Sequence, residues 1–417
     1  MKKEKHENQE LLEKQKILNK LKIINLFKYL MYIFDRIVCL FIKKPKKDVN
    51  GKKQVLILAN LGLGDAMNFL SVSEKYRKAY PQKDYEITVY VSNHLDELIR
   101  RETEVDNVEL VPFNQITTDL KKRINLIRKI REKYYDVVID IMGATGCTPS
   151  VYLMACTASN ERISIINRAY SICPQFFTKK IYTKLVEIND KKITNIEYYH
   201  YLANEILNTK DDEIKFHQIK PIELKLELPE EYYIVFPSAS LDIKKWEYEK
   251  YGQLIDKIYE KTKLPVVFCG TKTDERDVEE VIKNVKQGKY INILGKSSVV
   301  EFIEIIRRAK FVITNDTGAY HIALNMEVPV GIITGGYTYD GFVTYNFKGN
   351  KYRKPYIITD KRECFNCNRN CKYLKEGQEI IEKIQEAKTV KATGKAGLDA
   401  YAGDITVIGN TIFTIKG

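Results

Sequence analysis

The sequence predicts an α/β protein of two doubly wound domains, and three observations carry that prediction. An apolar, β-branched run at 54–60 passes directly into a glycine turn and a helical pattern. The same succession recurs at 310–325. Around both, short apolar runs alternate with amphipathic stretches, the order that builds mainly parallel sheets. The 417 residues suffice for two ordinary domains and an appendage. A composition of 44% apolar and 29% charged residues belongs to a folded chain, not a disordered one.

The expected organisation is a basic amphipathic helical arm over 1–50, a Rossmann-like domain over 51–225, a second over 226–390, and a tail over 391–417. The tail's apolar alternation from Ile405 to Ile415 reads as a hairpin or a loosely packed end. The net charge of +13 is concentrated in the arm. Residues 1–53 hold fifteen Lys/Arg against six Asp/Glu, which is +9 of the total. The body therefore lacks the basic stripe that nucleic-acid binding requires, and no nucleic-acid partner is expected.

Within the arm, residues 23–42 are strongly apolar but carry Lys28, Asp35 and Arg36. Charges near the middle of such a segment argue against a spanning helix. Pro45 stops the helix between Lys43-Lys44 and Lys46-Lys47. Residues 1–47 thus read as an interfacial helix on an anionic membrane surface. The alternative is a helix packed on the protein's own body or a partner subunit. No secretory signal with a small-residue cleavage site opens the chain, so a reducing cytosol with free thiols is expected. The expected location is the inner face of the cytoplasmic membrane, held peripherally.

The first α/β unit opens with the strand Gln54–Asn60 and the turn Gly62-Leu63-Gly64-Asp65, followed by a helical pattern to about Tyr80. The glycines allow close approach to a ligand, and a helix start favours a negative group. The third glycine of a dinucleotide fingerprint is absent, Met67 standing in its place. Read locally, Asp65 is a first-turn acid. Further strands are expected at 86–91, 108–113 and 135–141, with a basic helix at 117–134 and another near 195–208. The last of these strands ends in Gly143-Ala144-Thr145-Gly146, a small-residue loop suited to acceptor contacts.

In the second unit a strand at 232–237 ends in the small polar loop Pro237-Ser238-Ala239-Ser240, with Lys244, Lys245 and Trp246 next. A helix is expected over 248–262, a strand over 264–270, and a further helix opening near Asp274 and Glu275. A short strand at 292–295 and a helix at 298–308 follow. The strand Lys310–Thr314 runs into Asn315-Asp316-Thr317-Gly318, with His321 on the next helix. Ligands of open α/β sheets bind beyond the carboxyl ends of the strands, and this turn offers backbone N–H groups to a diphosphate. Thr317 supplies a hydroxyl, Gly318 leaves room for approach, and Lys244 offers a charge without a metal. Alternatively, Asp316 is a cap and His321 an ordinary helical residue.

Taken in order, G-x-G-D after the first strand, K-x-W after a mid-chain strand and N-D-T-G-x-x-H near the end resemble glycosyltransferase family 9. The resemblance spans about 53–345. It implies a GT-B fold whose first domain binds the acceptor and whose second binds a nucleotide-sugar, ADP-linked in the family's best-known members, the heptosyltransferases. It also implies inverting, metal-independent transfer to a cell-surface glycan or glycolipid, with no cofactor. Asp65 then takes the general-base position, and Gly62, Gly64, Gly143 and Thr145 lie on the acceptor side. Lys244 would neutralise the leaving diphosphate. Ser238, Ser240, Asp316, Thr317, Gly318 and His321 match the donor side, with Asp274 or Glu275 near the donor's ribose or base. Trp246 reads as a packing residue.

Arginines that grip an acidic acceptor in inner-core enzymes have no counterpart here. The runner-up is a non-catalytic nucleotide-sugar or glycan-binding relative that assists assembly. Cys364, Cys367 and Cys371 have the spacing of half a tetrahedral site and lack an evident fourth ligand. No metal is expected.

Overall fold

The computed structural model describes residues 29–359, apart from 93, 145–148, 170, 172, 174, 191, 212, 336–338 and 346–352. It also describes residue 365 and the strands at 405–408 and 411–415. The chain divides into two compact units. The first includes 29–62 and Val72–Asp212; the second includes Leu63–Ser71 and 213–359.

In the first unit, six parallel strands form one sheet: β1 (Lys53–Ala59), β2 (Tyr85–Val91), β3 (Asn107–Leu110), β4 (Tyr135–Asp140), β5 (Ser159–Asn167) and β6 (Lys184–Ile188). Their order is β3-β2-β1-β4-β5-β6. The register runs from Lys53↔Tyr85 to Ala59↔Val91 on one side of β1 and from Val55↔Val137 to Leu58↔Asp140 on the other. Val55 to Ala59 are all fully buried, because crossover helices cover both faces of a parallel sheet and leave no polar side to alternate with.

The second unit repeats the plan with β7 (Tyr233–Phe236), β8 (Val266–Phe268), β9 (Tyr290–Asn292), β10 (Val312–Asn315), β11 (Val330–Thr334) and β12 (Tyr356–Thr359). These six pair in the order β12-β11-β10-β7-β8-β9. Each sheet therefore reverses direction at its centre, between β1 and β4 and between β7 and β10. In doubly wound sheets a ligand crevice opens at that point. The GT-B class expected from the sequence, two Rossmann-like domains, is the architecture found. Strands β13 (Ile405–Ile408) and β14 (Thr411–Ile415) pair antiparallel.

Helix α1, at 29–40, resolves the charges that interrupt the arm. Asp35 is buried against Arg123 of α5 (Leu120–Ile130) and accepts from its Nε at 2.6 Å, while the same guanidinium donates to the Ile116 carbonyl. Arg36 donates to the Ala155 carbonyl at 2.6 Å. Cys39 joins the core beside Cys156, with Tyr32, Val38 and Ile42 packed around it. One face of the helix thus docks on the protein's own body, and Asp35 is the anchor of that docking. Burial raises the Asp35 pKa even against the Arg123 charge. The pair therefore specifies where the helix sits more than it stabilises the fold. Among the described residues, no helix is long and apolar enough to cross a membrane. Residues 1–28 lie outside the description.

Other local expectations are corrected. The helical pattern up to Tyr80 is two helices, α2 (Leu63–Leu70) and α3 (Ser73–Ala79). Ser71 turns its hydroxyl back onto the Asn68 carbonyl at 2.6 Å, a local bond that competes with the helical ladder. The break also divides the two units. The strand expected at 108–113 ends at Leu110, and the one expected at 292–295 lies at Tyr290–Asn292, where it pairs with β8. Helix α6 (Pro149–Cys156) has no polar face to show a period, all but its first residue being buried. The all-thiol expectation is also corrected: Cys39, Cys156 and Cys269 are free and buried, but Cys173 is disulfide-bonded.

Candidate active site

The switch point of the second unit is organised by Asn315, the last residue of β10. Its side chain is fully buried, and each end is used. Nδ2 donates to the Pro237 carbonyl at 2.6 Å; Oδ1 accepts from the Trp246 backbone N–H at 3.1 Å and the Tyr251 hydroxyl at 3.0 Å. One amide thus joins the loop after β7, the segment carrying Lys244, and helix α9 (Tyr248–Thr262). Trp246 packs edge-on against Tyr251, so its place is structural.

Lys244 and Asp316 meet within this frame. The Lys244 Nζ lies 2.9 Å from an Asp316 carboxylate oxygen, and Asp316 is buried. In this state the ammonium is balanced by the protein's own carboxylate. Thr317 caps helix α12 (Gly318–Asn325), accepting from the Ala319 N–H at 3.3 Å and sharing a hydrogen bond with the Thr314 hydroxyl at 3.0 Å. Its hydroxyl is therefore engaged in holding the turn. Ser238, on the loop after β7, is 2% exposed, and its hydroxyl has no hydrogen-bond partner among the described residues. Buried polar groups are rarely left so.

Helix α2 packs on α12 inside the same unit. A Cβ at Gly64 would fall 2.5 Å from the His321 ring, so that contact requires glycine; a Cβ at Gly318 would press on the Leu63 side chain at 3.0 Å. The close approach of the two glycines is filled by this helix pair. It places Asp65, half-buried in the first turn of α2, within the electrostatic field of His321, together with Asp316 and Lys244. His321 is buried, and burial lowers its pKa against the pull of both carboxylates. Its Nδ1 lies 2.5 Å from the Tyr345 hydroxyl, which reaches on to the Asn68 Oδ1 at 3.5 Å. The structure thus gathers Asp65, Lys244, Asp316, Thr317, Gly318 and His321.

Asp274 accepts from the Thr271 N–H and hydroxyl, both at 2.8 Å, closing a capping box ahead of α10 (Glu275–Ile282). Glu275 and Ser240 are exposed.

In the first unit Gly62 is exposed. Gly143 adopts φ +79°, and a Cβ there would strike the Tyr198 hydroxyl at 2.0 Å and the Ile165 carbonyl at 2.6 Å. Beside it Asp140, fully buried at the end of β4, accepts from the Met142 N–H at 3.2 Å and the Tyr182 hydroxyl at 3.1 Å. Burial still pushes its pKa up to about 6. Thr145, Cys364, Cys367 and Cys371 lie outside the described residues.

Sequence reasoning placed Asn315 in the N-D-T-G motif without a role of its own, and passed over Asp140, a polar residue that ends the apolar strand β4. Tyr345 left no signal, because only the fold brings it to His321.

Residues 123–339 match glycosyltransferase family 9 (heptosyltransferase). The chain is 24% identical over 217 residues to lipopolysaccharide heptosyltransferase 3 of Escherichia coli K12, an alignment covering 51% of this chain and 62% of that protein. A solved glycosyltransferase family 9 structure from Veillonella parvula superposes with a TM-score of 0.58 at 18% identity, covering 84% of this chain and all of that one. The Escherichia coli heptosyltransferase WaaC with ADP gives 0.55 at 14% identity, covering 79% and 99%.

Proposed function

We propose that this chain, which belongs to glycosyltransferase family 9, transfers a sugar from an ADP-linked donor, heptose by analogy with the relatives' names, to a lipid-linked cell-surface glycan. The observation that carries the reading is the switch point of the second unit. There Asn315 clamps two loops around a Lys244–Asp316 ion pair while the buried Ser238 hydroxyl has no partner among the described residues. A diphosphate satisfies both features: it accepts from Ser238 and draws Lys244 away from Asp316.

In the reaction, Asp65 takes the proton of the acceptor hydroxyl as its oxygen forms the new bond at the anomeric carbon. The bond from that carbon to the diphosphate oxygen breaks, with inversion. Lys244 balances the charge that develops on the leaving diphosphate, so the transfer proceeds without a metal. His321, held neutral by burial, adds no positive charge beside Asp65 and so leaves the carboxylate free to accept a proton. The chain acts at the inner face of the cytoplasmic membrane, where a lipid-linked acceptor is presented.

Asp65→Asn tests the assignment. Turnover of ADP-heptose on a lipopolysaccharide-core acceptor should fall about 10²- to 10⁴-fold, with donor affinity by calorimetry unchanged. Undiminished turnover would remove Asp65 from the chemistry. Donor binding without turnover in the unmodified protein would point to a binding relative instead.

A further inference from the structure

The first unit holds a second cavity at the opposite edge of its sheet from the carboxyl ends of its strands. It has a volume of about 310 Å³ and is bounded by Arg36, Lys44, Arg131, Arg162 and Lys180, with Tyr32 at one side and no carboxylate among the described residues of its wall. Arg131 precedes β4, Arg162 lies in the early part of β5, and Arg36 belongs to α1, so the cavity sits at the amino ends of the strands. It is therefore separate from the crevice at β1 and β4.

Among the described residues the charge here is uncompensated. Arg36 donates to the Ala155 carbonyl, Arg131 to the Cys156 carbonyl at 3.0 Å, and Arg162 to the Ile181 carbonyl at 2.5 Å. Neutral carbonyls orient three guanidinium groups without cancelling their charge. Lys44 and Lys180 are exposed and pair with no carboxylate among the described residues. Burial, then the like charge of Arg36, lowers the Arg162 pKa, as expected where cations crowd without a counter-ion.

Beside the cavity, the face of α1 turned away from the body is apolar. Leu30, Ile33 and Ile37 are exposed along it, and Leu40 and Phe41 end it at 81% and 86% exposed. These positions follow a helical spacing of three and four, so they form one stripe. Lys43 and Lys44 follow immediately.

We propose that this face docks on an anionic membrane: the five-cation cavity seats the phosphate of a lipid headgroup, while Leu40 and Phe41 enter the acyl boundary. Charge complementarity selects the occupant. An apolar stripe beside an uncompensated basic cavity matches an interface with phosphate above and hydrocarbon below, whereas a protein partner would have to supply its own acidic cluster. The inference rests on the proposed reaction only in that a lipid-linked acceptor gives docking its purpose.

Sedimentation of the full chain with phosphatidylcholine vesicles, with and without phosphatidylglycerol, tests it. The unmodified protein should sediment with the anionic vesicles and be released by salt. Lys44→Gln/Lys180→Gln should weaken that partitioning about thirtyfold, equivalent to roughly 2 kcal/mol. Leu40→Ser/Phe41→Ser should weaken it by about tenfold or more. Neither pair contributes to the buried core, and unchanged thermal melting and ADP binding verify the fold of each variant.

Equal sedimentation with neutral vesicles, or a double-lysine variant that binds like the unmodified chain, overturns the proposal. So does protection of the melting transition by inorganic phosphate with no vesicle binding, which would make the cavity a site for a free phosphate. Loss of ADP-heptose binding with vesicle docking intact would overturn the proposed reaction and leave this inference standing.

Discussion

The two units share one strand order and differ at the place where that order reverses. At the switch point of the first, Asp140 is saturated by its own chain, and the space over Gly143 is taken by Tyr198 and the Ile165 carbonyl. At the switch point of the second, Asn315 is saturated instead, and its bonds hold two loops around the Lys244–Asp316 pair and the Ser238 hydroxyl, which has no partner among the described residues. The same topology can thus close a crevice with its own side chains or leave it short of partners. The proposed donor site is the second arrangement, because a ligand can satisfy what the protein leaves unmet.

The comparison can be broken hardest at Gly143. Alanine there must hold a positive φ and displace Tyr198, and denaturant unfolding should show a loss of roughly 3–5 kcal/mol. A smaller loss would mean that the first crevice is less filled than its contacts imply. Asn315→Ala should cost about 3 kcal/mol, since it strands the Pro237 carbonyl, the Trp246 N–H and the Tyr251 hydroxyl. It should also abolish the shift in melting temperature that ADP produces. Retained ADP binding would show that the loops stay in place without the clamp.

A pH series separates two opposed groups of the first unit. Burial, helped by the Lys75 charge, pushes His200 down to about 4. The unfolded chain binds that proton near pH 6.5, so His200 contributes stability above 6.5 that is lost as pH falls towards 4. Asp140 has the opposite sign: its raised pKa contributes stability at pH below its unfolded value of 3.8 that is lost as pH rises through about 6. The two trends, each up to about 3 kcal/mol, nearly cancel between pH 6 and 4. His200→Gln should therefore reveal a chain that gains stability on acidification over that window, read by denaturant midpoints at each pH. A profile parallel to the unmodified protein would mean that His200 is solvated in the native state.

The smallest effect expected is at Ser238. Removing an unpaired buried hydroxyl should leave the unliganded protein as stable or stabilise it by up to about 1 kcal/mol, while ADP binding weakens about tenfold. Those opposite signs distinguish a ligand-directed hydroxyl from a structural one; loss of stability with unchanged ADP affinity would mark it as structural.

Much of the fold was legible because it is local. The runs at 54–60 and 310–315 each bury a strand on both faces, and such strands advertise themselves as unbroken apolar segments. Helix α9 was expected at its observed bounds because its polar face is solvated and its period survives. Where both faces are covered the period disappears, and α6 was unreadable for that reason. The candidate site was legible in part. Asp65, Lys244, Asp316 and His321 lie on the turns and helices that follow strand ends, where doubly wound sheets place ligands. Asn315 carries no separate local signal, since its three bonds reach residues 64 to 78 positions away.

By itself the sequence determined the succession of strands, glycine turns and helices, the basic arm, and the loops that end at the carboxyl edges. These follow from periodicity and backbone conformation, which neighbouring residues set between themselves. Only the tertiary structure decided that Asp35 anchors the arm, that α2 belongs with α12 so that Asp65 lies near His321, and that five cations from separate segments converge with no carboxylate among the described residues. Those outcomes depend on strand order and on which surfaces are buried together. They are properties of contacts between distant residues, and no local pattern encodes them.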